Sequence, residues 1–268
     1  MVATDVAFAG SIPGLYDRYL GPMLFEPYAA AMAERAKALQ PERILETAAG
    51  TGVLTAALHA ALPQAEIVAT DFNQSMLDVA SERVRSDKVR FSQADAQSLP
   101  YPDGSFDLVA CQFGVMFYPD KVLANSEARR VLRPGGHYIL AIWDRLDRNP
   151  VSDVLGGAVA QLYPENPPTF FERLPFGYHD PAWIERDLRA AGFDEIAFET
   201  VELRSRLGSG RQAAMGLIQG SPMRAEIEPR APDALDRATD YAAQALRQFQ
   251  GSHGLDAPMA AHVVVATK

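Results

Sequence analysis

The feature that most limits what this chain can fold into is an alternation. Between residues 43 and 143, short apolar runs take turns with stretches whose apolar residues recur at helical spacing. The apolar runs are "RILET", "EIVATD", "VRFSQAD", "FDLVACQF" and "HYILAIW". Among them lie "GVLTAALHAALP", "NQSMLDVASERVRS" and "DKVLANSEARRVL", each with one apolar helix face. Strands with no polar face, alternating with amphipathic helices, predict an α/β fold around a parallel sheet covered on both sides.

The flanking regions are less regular. "PYAAAMAERAKALQ", residues 27–40, predicts a helix with Pro27 in its first turn. Residues 146–180 are rich in Pro and Gly, with a short helix around Asp153 to Leu162. "DPAWIERDLRAAGF" reads as a helix capped by Asp180, opened by Pro181 and closed by Gly192, and Asn73 is placed to cap the helix after the second strand. "EIAFETVELRS" is a sixth strand, residues 205–258 are mostly helical, and "AAHVVVATK" is the last strand.

Charge and composition remove several functions. A net charge of −9 opposes a polyphosphate backbone, and the basic clusters at Glu82–Arg90 and at Arg129, Arg130 and Arg133 are broken by acids or apolar residues. No nucleic-acid partner is expected. The single cysteine, Cys111, permits no intrachain disulfide and no thiolate-rich metal site, and inside "FDLVACQF" it reads as a small buried hydrophobe. His59, His137, His179, His253 and His262 have no metal-ligand spacing, so no metal is expected. The first residues lack a basic secretory n-region, and no apolar run reaches the roughly 18 residues of a membrane span. The expectation is a cytoplasmic protein without a membrane partner.

The chemistry is concentrated in "RILETAAGTG", Arg43 to Gly52, a strand that ends on an acid and breaks into small residues. In a parallel sheet the loop after the first strand faces the ligand, and small residues let its backbone come close. A tight turn alone would also favour Gly there. A dinucleotide site wants G-x-G-x-x-G, yet Gly50-Thr51-Gly52 is followed by Val53, Leu54 and Thr55, so the third Gly is missing. Glu46 at the strand end would repel a pyrophosphate but not a cationic ligand.

"ILETAAGTG" resembles the first motif of class I S-adenosylmethionine-dependent methyltransferases, an acid followed by x-G-x-G-x-G, with Ala48 in place of the first Gly. An alanine suits that place provided its φ stays negative. "LPYPDGSFDLV" and "VLRPGGHYIL" resemble stretches of the small-molecule, ubiquinone-biosynthesis-like methyltransferases, the methyltransferase type 11 group. The resemblance covers about residues 40–145. It implies a Rossmann-like, doubly wound, seven-stranded sheet, mostly parallel with an antiparallel last strand, plus helical lid insertions. It further implies one methyltransferase domain over 1–268: a helical lid at 1–40, a cofactor-binding core at 41–145, substrate-lid insertions at 146–180 and 205–258, and 181–204 and 259–268 completing the sheet.

By the same resemblance, Glu46, Ala48 and Gly50 bind S-adenosylmethionine. Asp71 accepts from both ribose hydroxyls, Asp95 meets the adenine amino group, and the Ala96 N–H meets the ring. Phe72 is a candidate to flank the adenine and Met76 to pack beneath it; the alternatives are a helix-start residue and a core methionine. Gln112 and Phe113 line the methionine arm, or pack the strand. Tyr16 or Tyr19 reaches the methionine carboxylate or the acceptor, unless this stretch merely seals a sheet edge. Tyr19 and Phe117 are the acceptor-side candidates. His179 is the one candidate general base, with a surface-loop histidine as the alternative. "NPPTF" at 166–170 is a chance match to an amino-methyltransferase motif, because "CQFG" occupies the place after the fourth strand.

The function implied is methyl transfer from S-adenosylmethionine, giving S-adenosylhomocysteine, to O, N or C of a medium-sized, partly apolar small molecule. The rivals are an NAD-dependent oxidoreductase and a fold that binds S-adenosylmethionine without methylating. The oligomeric state is left open.

Overall fold

The computed structural model describes Phe8 and residues 10–268. The chain divides into two compact units. One holds Tyr28–Trp143, Tyr178–Val201 and Ala261–Lys268; the other holds the described residues up to Pro27, Asp144–Gly177 and Glu202–Ala260.

The strands are β1 (Arg43–Glu46), β2 (Glu66–Asp71), β3 (Val89–Gln93), β4 (Phe106–Gln112), β5 (Leu132–Trp143), β6 (Glu195–Leu207), β7 (Gln250–Gly251) and β8 (Gly254–Thr267). Among the described residues they form an 8-stranded sheet in the order β3-β2-β1-β4-β5-β8-β6, with β7 paired to β8. β1 runs parallel to β2 and β4, β2 to β3, and β4 to β5, while β8 is antiparallel to β5. The mostly parallel sheet with a reversed last strand is the one expected. It has one strand more than the expected seven, because β8 begins at Gly254 rather than near Ala260 and forms a tight hairpin with β7. Gly254 has φ +112°, and a Cβ there would lie 2.3 Å from the Leu207 carbonyl oxygen. Only glycine fits that turn. Periodicity alone reads this stretch as helix, because a two-residue strand is too short to show an alternation.

The central strands are apolar on both faces. Ile44, Leu45, Leu108, Val109, Cys111, Leu140 and Ile142 are all buried, and a fully buried Leu or Ile contributes about 1.5–3 kcal/mol. The helix Val53–Ala61 follows β1 and the helix Gln74–Arg83 follows β2. They come close because Gly52, at φ +77°, has no Cβ; one would sit 2.9 Å from the Ala80 Cβ. Asp180 caps the helix Pro181–Ala190 as expected, accepting from the Ala182 N–H at 2.8 Å. Asn73 holds its cap position, but without a capping side-chain bond. Because β1 lies between β2 and β4, chain order reverses there, and the C-terminal strand ends around that point are where α/β folds bind ligands.

In the other unit, the helix Ala234–Ala245 packs on Pro150–Leu162 and on Gly210–Ala214. Residues Tyr16–Phe25 form a wide helix, with the Glu26 N–H reaching back five residues to the Gly21 carbonyl. This stretch lies tightly on Met215–Gln219, where a Cβ on Gly216 would come within 2.8 Å of Tyr19 and Leu20. Among the described residues, no helix is long and apolar enough to cross a membrane.

Candidate functional site

Glu46 ends β1, Asp71 ends β2, and Asp95 follows β3 by two residues. The first two are buried, with Glu46 only 1% exposed. The Thr55 hydroxyl donates to Glu46 Oε2 at 2.6 Å, and the Thr55 N–H also bonds to this carboxyl group. Thr55 stands where a dinucleotide fingerprint would carry its third Gly. The departure from that fingerprint is therefore the group that holds the acid.

Both oxygens of Asp71 are engaged by the backbone around them. The Gly50 N–H donates to Oδ2 at 2.9 Å and the Asn73 N–H to Oδ1 at 2.8 Å. Oδ1 also accepts from the Asn73 side chain, whose Nδ2 lies at 3.5 Å. The Asp71 carbonyl accepts from the Ala94 N–H at 3.0 Å, and Gln93 Nε2 donates to the Phe72 carbonyl at 2.8 Å. The tips of β2 and β3 are thereby tied together. Asp95 Oδ1 accepts from the Gln97 N–H at 2.8 Å, and Ala96 beside it is half-buried.

Burial pushes Glu46 up to about 8, aided by the Asp71 charge and opposed by the bonds from Thr55. Burial also raises Asp71, against the pull of the Asn73 and Gly50 amides. The charge of Asp71 opposes ionisation of Glu46. An acid pair of this kind favours a positively charged ligand group and opposes a diphosphate.

Ala48 departs from the expectation. It has φ +52°, a left-handed conformation that costs an alanine about 1–2 kcal/mol. The chain is compelled into it. The Thr47 N–H bonds to Ala110 on β4, yet the Ala49 N–H bonds to Thr70 on β2, both at 2.9 Å. Residues two apart on a strand point the same way, so the backbone must turn over between them. Strain of this kind gathers at ligand-facing loops.

The other expected site residues divide into groups. Met76 is buried beneath the loop, with its Cε 3.7 Å from where a Gly50 Cβ would stand. Phe72 is 60% exposed although it follows a buried acid. Gln112 ends β4 half-buried. Phe113 is buried in an aromatic cluster, stacked on Trp143 at 3.8 Å with Tyr28 edge-on at 5.3 Å. Phe117 is half-buried in the short turn after β4. His179 is half-buried ahead of the helix Pro181–Ala190, and its carbonyl accepts from His262 Nε2 at 3.1 Å. Tyr16 and Tyr19 belong to the other unit; Tyr16 stacks on Phe25 at 4.9 Å and Arg18 lies over the Tyr19 ring at 5.3 Å. Sequence reasoning missed Thr47, Thr55, Gly114 and Tyr118. For Thr55 a signal existed, a hydroxyl at a motif position that wants glycine.

"LPYPDGS" is held by Arg130. Its guanidinium donates to the Leu99 and Tyr101 carbonyls at 2.9 and 2.7 Å, to Asp103 at 2.8 Å, and to both oxygens of Glu127. The two stretches that carried the family resemblance are joined by the ion pair of Arg133 with Asp107 at 3.0 Å.

Residues 45–140 match a methyltransferase domain family. Over 165 residues the chain is 38% identical to the demethylmenaquinone methyltransferase of Deinococcus radiodurans, covering 60% of this chain and 66% of that one. The chain spans less than half the length of two further demethylmenaquinone methyltransferases it matches. Among solved structures, the Haemonchus contortus phosphoethanolamine N-methyltransferase 2 in complex with S-adenosyl-L-methionine aligns at TM-score 0.62 and 17% identity, over 100% of this chain and 60% of that one. The [4+2]-cyclase SpnF aligns at TM-score 0.55 and 22% identity, over 91% of this chain and 80% of that one. Those two likenesses show the fold alone. With the motifs in order, the domain match and the relatives in agreement, residues 45–140 form a methyltransferase domain of the class I S-adenosylmethionine-dependent type.

Proposed function

We propose that this protein transfers a methyl group from S-adenosylmethionine to a medium-sized, partly apolar small molecule. The observation that carries the reading is the pair of buried acids, Glu46 and Asp71, at adjacent strand tips beside the order reversal of the sheet. Their mutual repulsion suits a ligand with hydroxyls for one acid and positive charge for the other.

The donor set fits that cofactor. Asp71, held in place by the Gly50 and Asn73 amides, accepts from the ribose hydroxyls. Phe72 presents an open ring face to the adenine, with Met76 packed under the loop and Asp95 and Ala96 at the next strand tip. Glu46 faces the cationic methionine end, and the small residues at 48–52 let the backbone approach it. When bound, S-adenosylmethionine supplies an electrophilic methyl on a sulfonium leaving group. With that activation already present, the chain's tasks are to align the ligand and to keep water away from it.

The Deinococcus relative is named for a demethylmenaquinone, so reduced naphthoquinones head the acceptor panel. The test follows S-adenosylhomocysteine release against that panel. Melting temperatures with S-adenosylhomocysteine and with NAD separate the oxidoreductase rival, since a ligand at 100 times its Kd adds about 2.7 kcal/mol. Stabilisation by S-adenosylhomocysteine alone, with acceptor-dependent turnover, is the expected result. Stabilisation by NAD would overturn the reading. Tight S-adenosylhomocysteine binding without turnover of any acceptor would point to a non-methylating use of the fold.

A further inference from the structure

The left-handed turn at Ala48 is held from behind by residues that follow β4. Gly114 lies so close that a Cβ on it would come 2.4 Å from the Ala48 Cβ and 2.9 Å from Cys111 Sγ. Four residues on, the Tyr118 hydroxyl donates to Thr47 Oγ1 at 3.1 Å. With its proton so used, the Tyr118 oxygen accepts from the Cys111 thiol at 3.4 Å. Tyr118 is fixed at its other end as well. Lys121 Nζ donates to the Tyr118 carbonyl at 3.0 Å and sits 5.0 Å over the ring of Tyr178, whose hydroxyl donates to Asp187 Oδ2 at 2.9 Å.

We propose that Gly114 and Tyr118 are positioning residues for the cofactor loop, and that Gly114 is the partner that Ala48 requires. Tyr118 pins Thr47, the residue between Glu46 and the strained Ala48. Gly114 leaves the space into which the Ala48 methyl turns. Together they set where Glu46 and the Gly50 N–H stand, although neither is assigned to touch the ligand. A glycine at position 48 would need no such space, so the two positions form a size-exchange pair. This inference rests on the functional reading above only for the identity of the ligand.

The experiment measures two quantities, the calorimetric Kd for S-adenosylhomocysteine and the melting temperature. It compares the full chain with Tyr118→Phe, Gly114→Ala and the double variant Gly114→Ala/Ala48→Gly. Tyr118→Phe keeps the ring and removes the bond to Thr47, so Kd should rise about tenfold. The KM for S-adenosylmethionine should rise with it while kcat at saturation holds, a split that general loosening of the fold would not give. Gly114→Ala should lower the melting temperature and weaken binding further than Tyr118→Phe. The double variant should recover at least half of the lost melting temperature and bind at least fivefold more tightly than Gly114→Ala. Wild-type affinity in Tyr118→Phe, or no recovery in the double variant, overturns the inference. If the wild type itself does not bind S-adenosylhomocysteine, the functional reading falls instead. Recovery of melting temperature in the double variant then still decides whether positions 48 and 114 exchange size.

Discussion

The hydroxyl of Thr55 meets the carboxyl of Glu46 across 2.6 Å, at a point where both side chains are buried. That bond, with the one from the Thr55 N–H, opposes a large burial effect, and Glu46 still stands at about 8 against an ordinary 4.5. An acid with a raised native value makes stability fall as pH rises. Between about 4.5 and 8 the unfolded chain has released the proton while the native chain keeps it. Within that window this group takes up to about 1.4 kcal/mol from the unfolding free energy per pH unit. Urea unfolding of the ligand-free protein at pH 5.5 and 7.5 should show the loss, and Glu46→Gln should flatten the difference. A Glu46→Gln variant with the wild-type slope would show that Glu46 is not held protonated.

Thr55→Val tests the opposing bond. It preserves shape and buries a methyl in place of the hydroxyl, leaving Glu46 to burial and the remaining backbone N–H. Stability should fall by about 1–3 kcal/mol. The loss should grow with pH, because the ionised acid needs the donor most. The comparison is urea unfolding at pH 7 and pH 9, either side of the value of about 8, and a loss that is the same at both would count against it.

Asp71→Asn probes the ribose position. An amide has one accepting oxygen, so either the Gly50 or the Asn73 N–H would face an NH2 group. The bonds of 2.9 and 2.8 Å cannot both persist. We expect a loss of about 1–3 kcal/mol in stability and S-adenosylhomocysteine binding weaker by roughly 30- to 100-fold. Calorimetry and denaturant melts measure the two separately. Unchanged affinity would remove Asp71 from the site.

How far the sequence reached depends on the kind of force involved. The parallel core was legible because its strands are long, apolar and punctuated by glycine and proline. β1 to β5 and the helices after β1 and β2 lie where periodicity put them. The hairpin at Gln250–Leu255 was not legible, since its signal is one glycine forced by the Leu207 carbonyl 47 residues earlier. The acids at 46, 71 and 95 were legible as strand-tip residues. The protonation of Glu46 was not, because it depends on burial by the whole core. Ala48 shows the limit most plainly. Its backbone is set by hydrogen bonds to β4 on one side and β2 on the other, which no local window contains. The methyl it carries is tolerated because of Gly114, 66 residues away.

Asn149 belongs to the unit that holds most of the short helices, and it is 4% exposed. Its Nδ2 donates to the Ala260 carbonyl at 3.1 Å and to the Arg145 carbonyl at 3.1 Å, while its Oδ1 accepts from the Ala260 N–H at 3.2 Å. Asn149→Ala takes this partner from the buried Ala260 N–H, while the Ala260 and Arg145 carbonyls still accept from the Asp144 and Arg148 N–H groups, so the cost is about 1–3 kcal/mol. A fall in the melting temperature with no first-order effect on S-adenosylhomocysteine affinity is expected. Loss of affinity in a folded Asn149→Ala variant would show that this residue does more than fasten β8.

Phe72→Ala separates binding from stability in the opposite sense. The ring is 60% exposed, so removing it takes little buried area from the native state. Surface substitutions of this type usually change stability by less than about 0.5 kcal/mol. Aromatic stacking on a base, by contrast, is worth about 1–3 kcal/mol. Phe72→Ala should therefore keep the wild-type melting temperature and weaken S-adenosylhomocysteine binding by roughly 5- to 100-fold. Phe72→Trp should hold or tighten it, because the larger ring offers more stacking area at the same place. The neighbouring bonds of Asp71 do not depend on the ring, since they run through the Gly50 and Asn73 amides. A drop in melting temperature that matches the drop in affinity would mean that the ring packs rather than binds. Undiminished affinity in Phe72→Ala would move the adenine away from this strand tip.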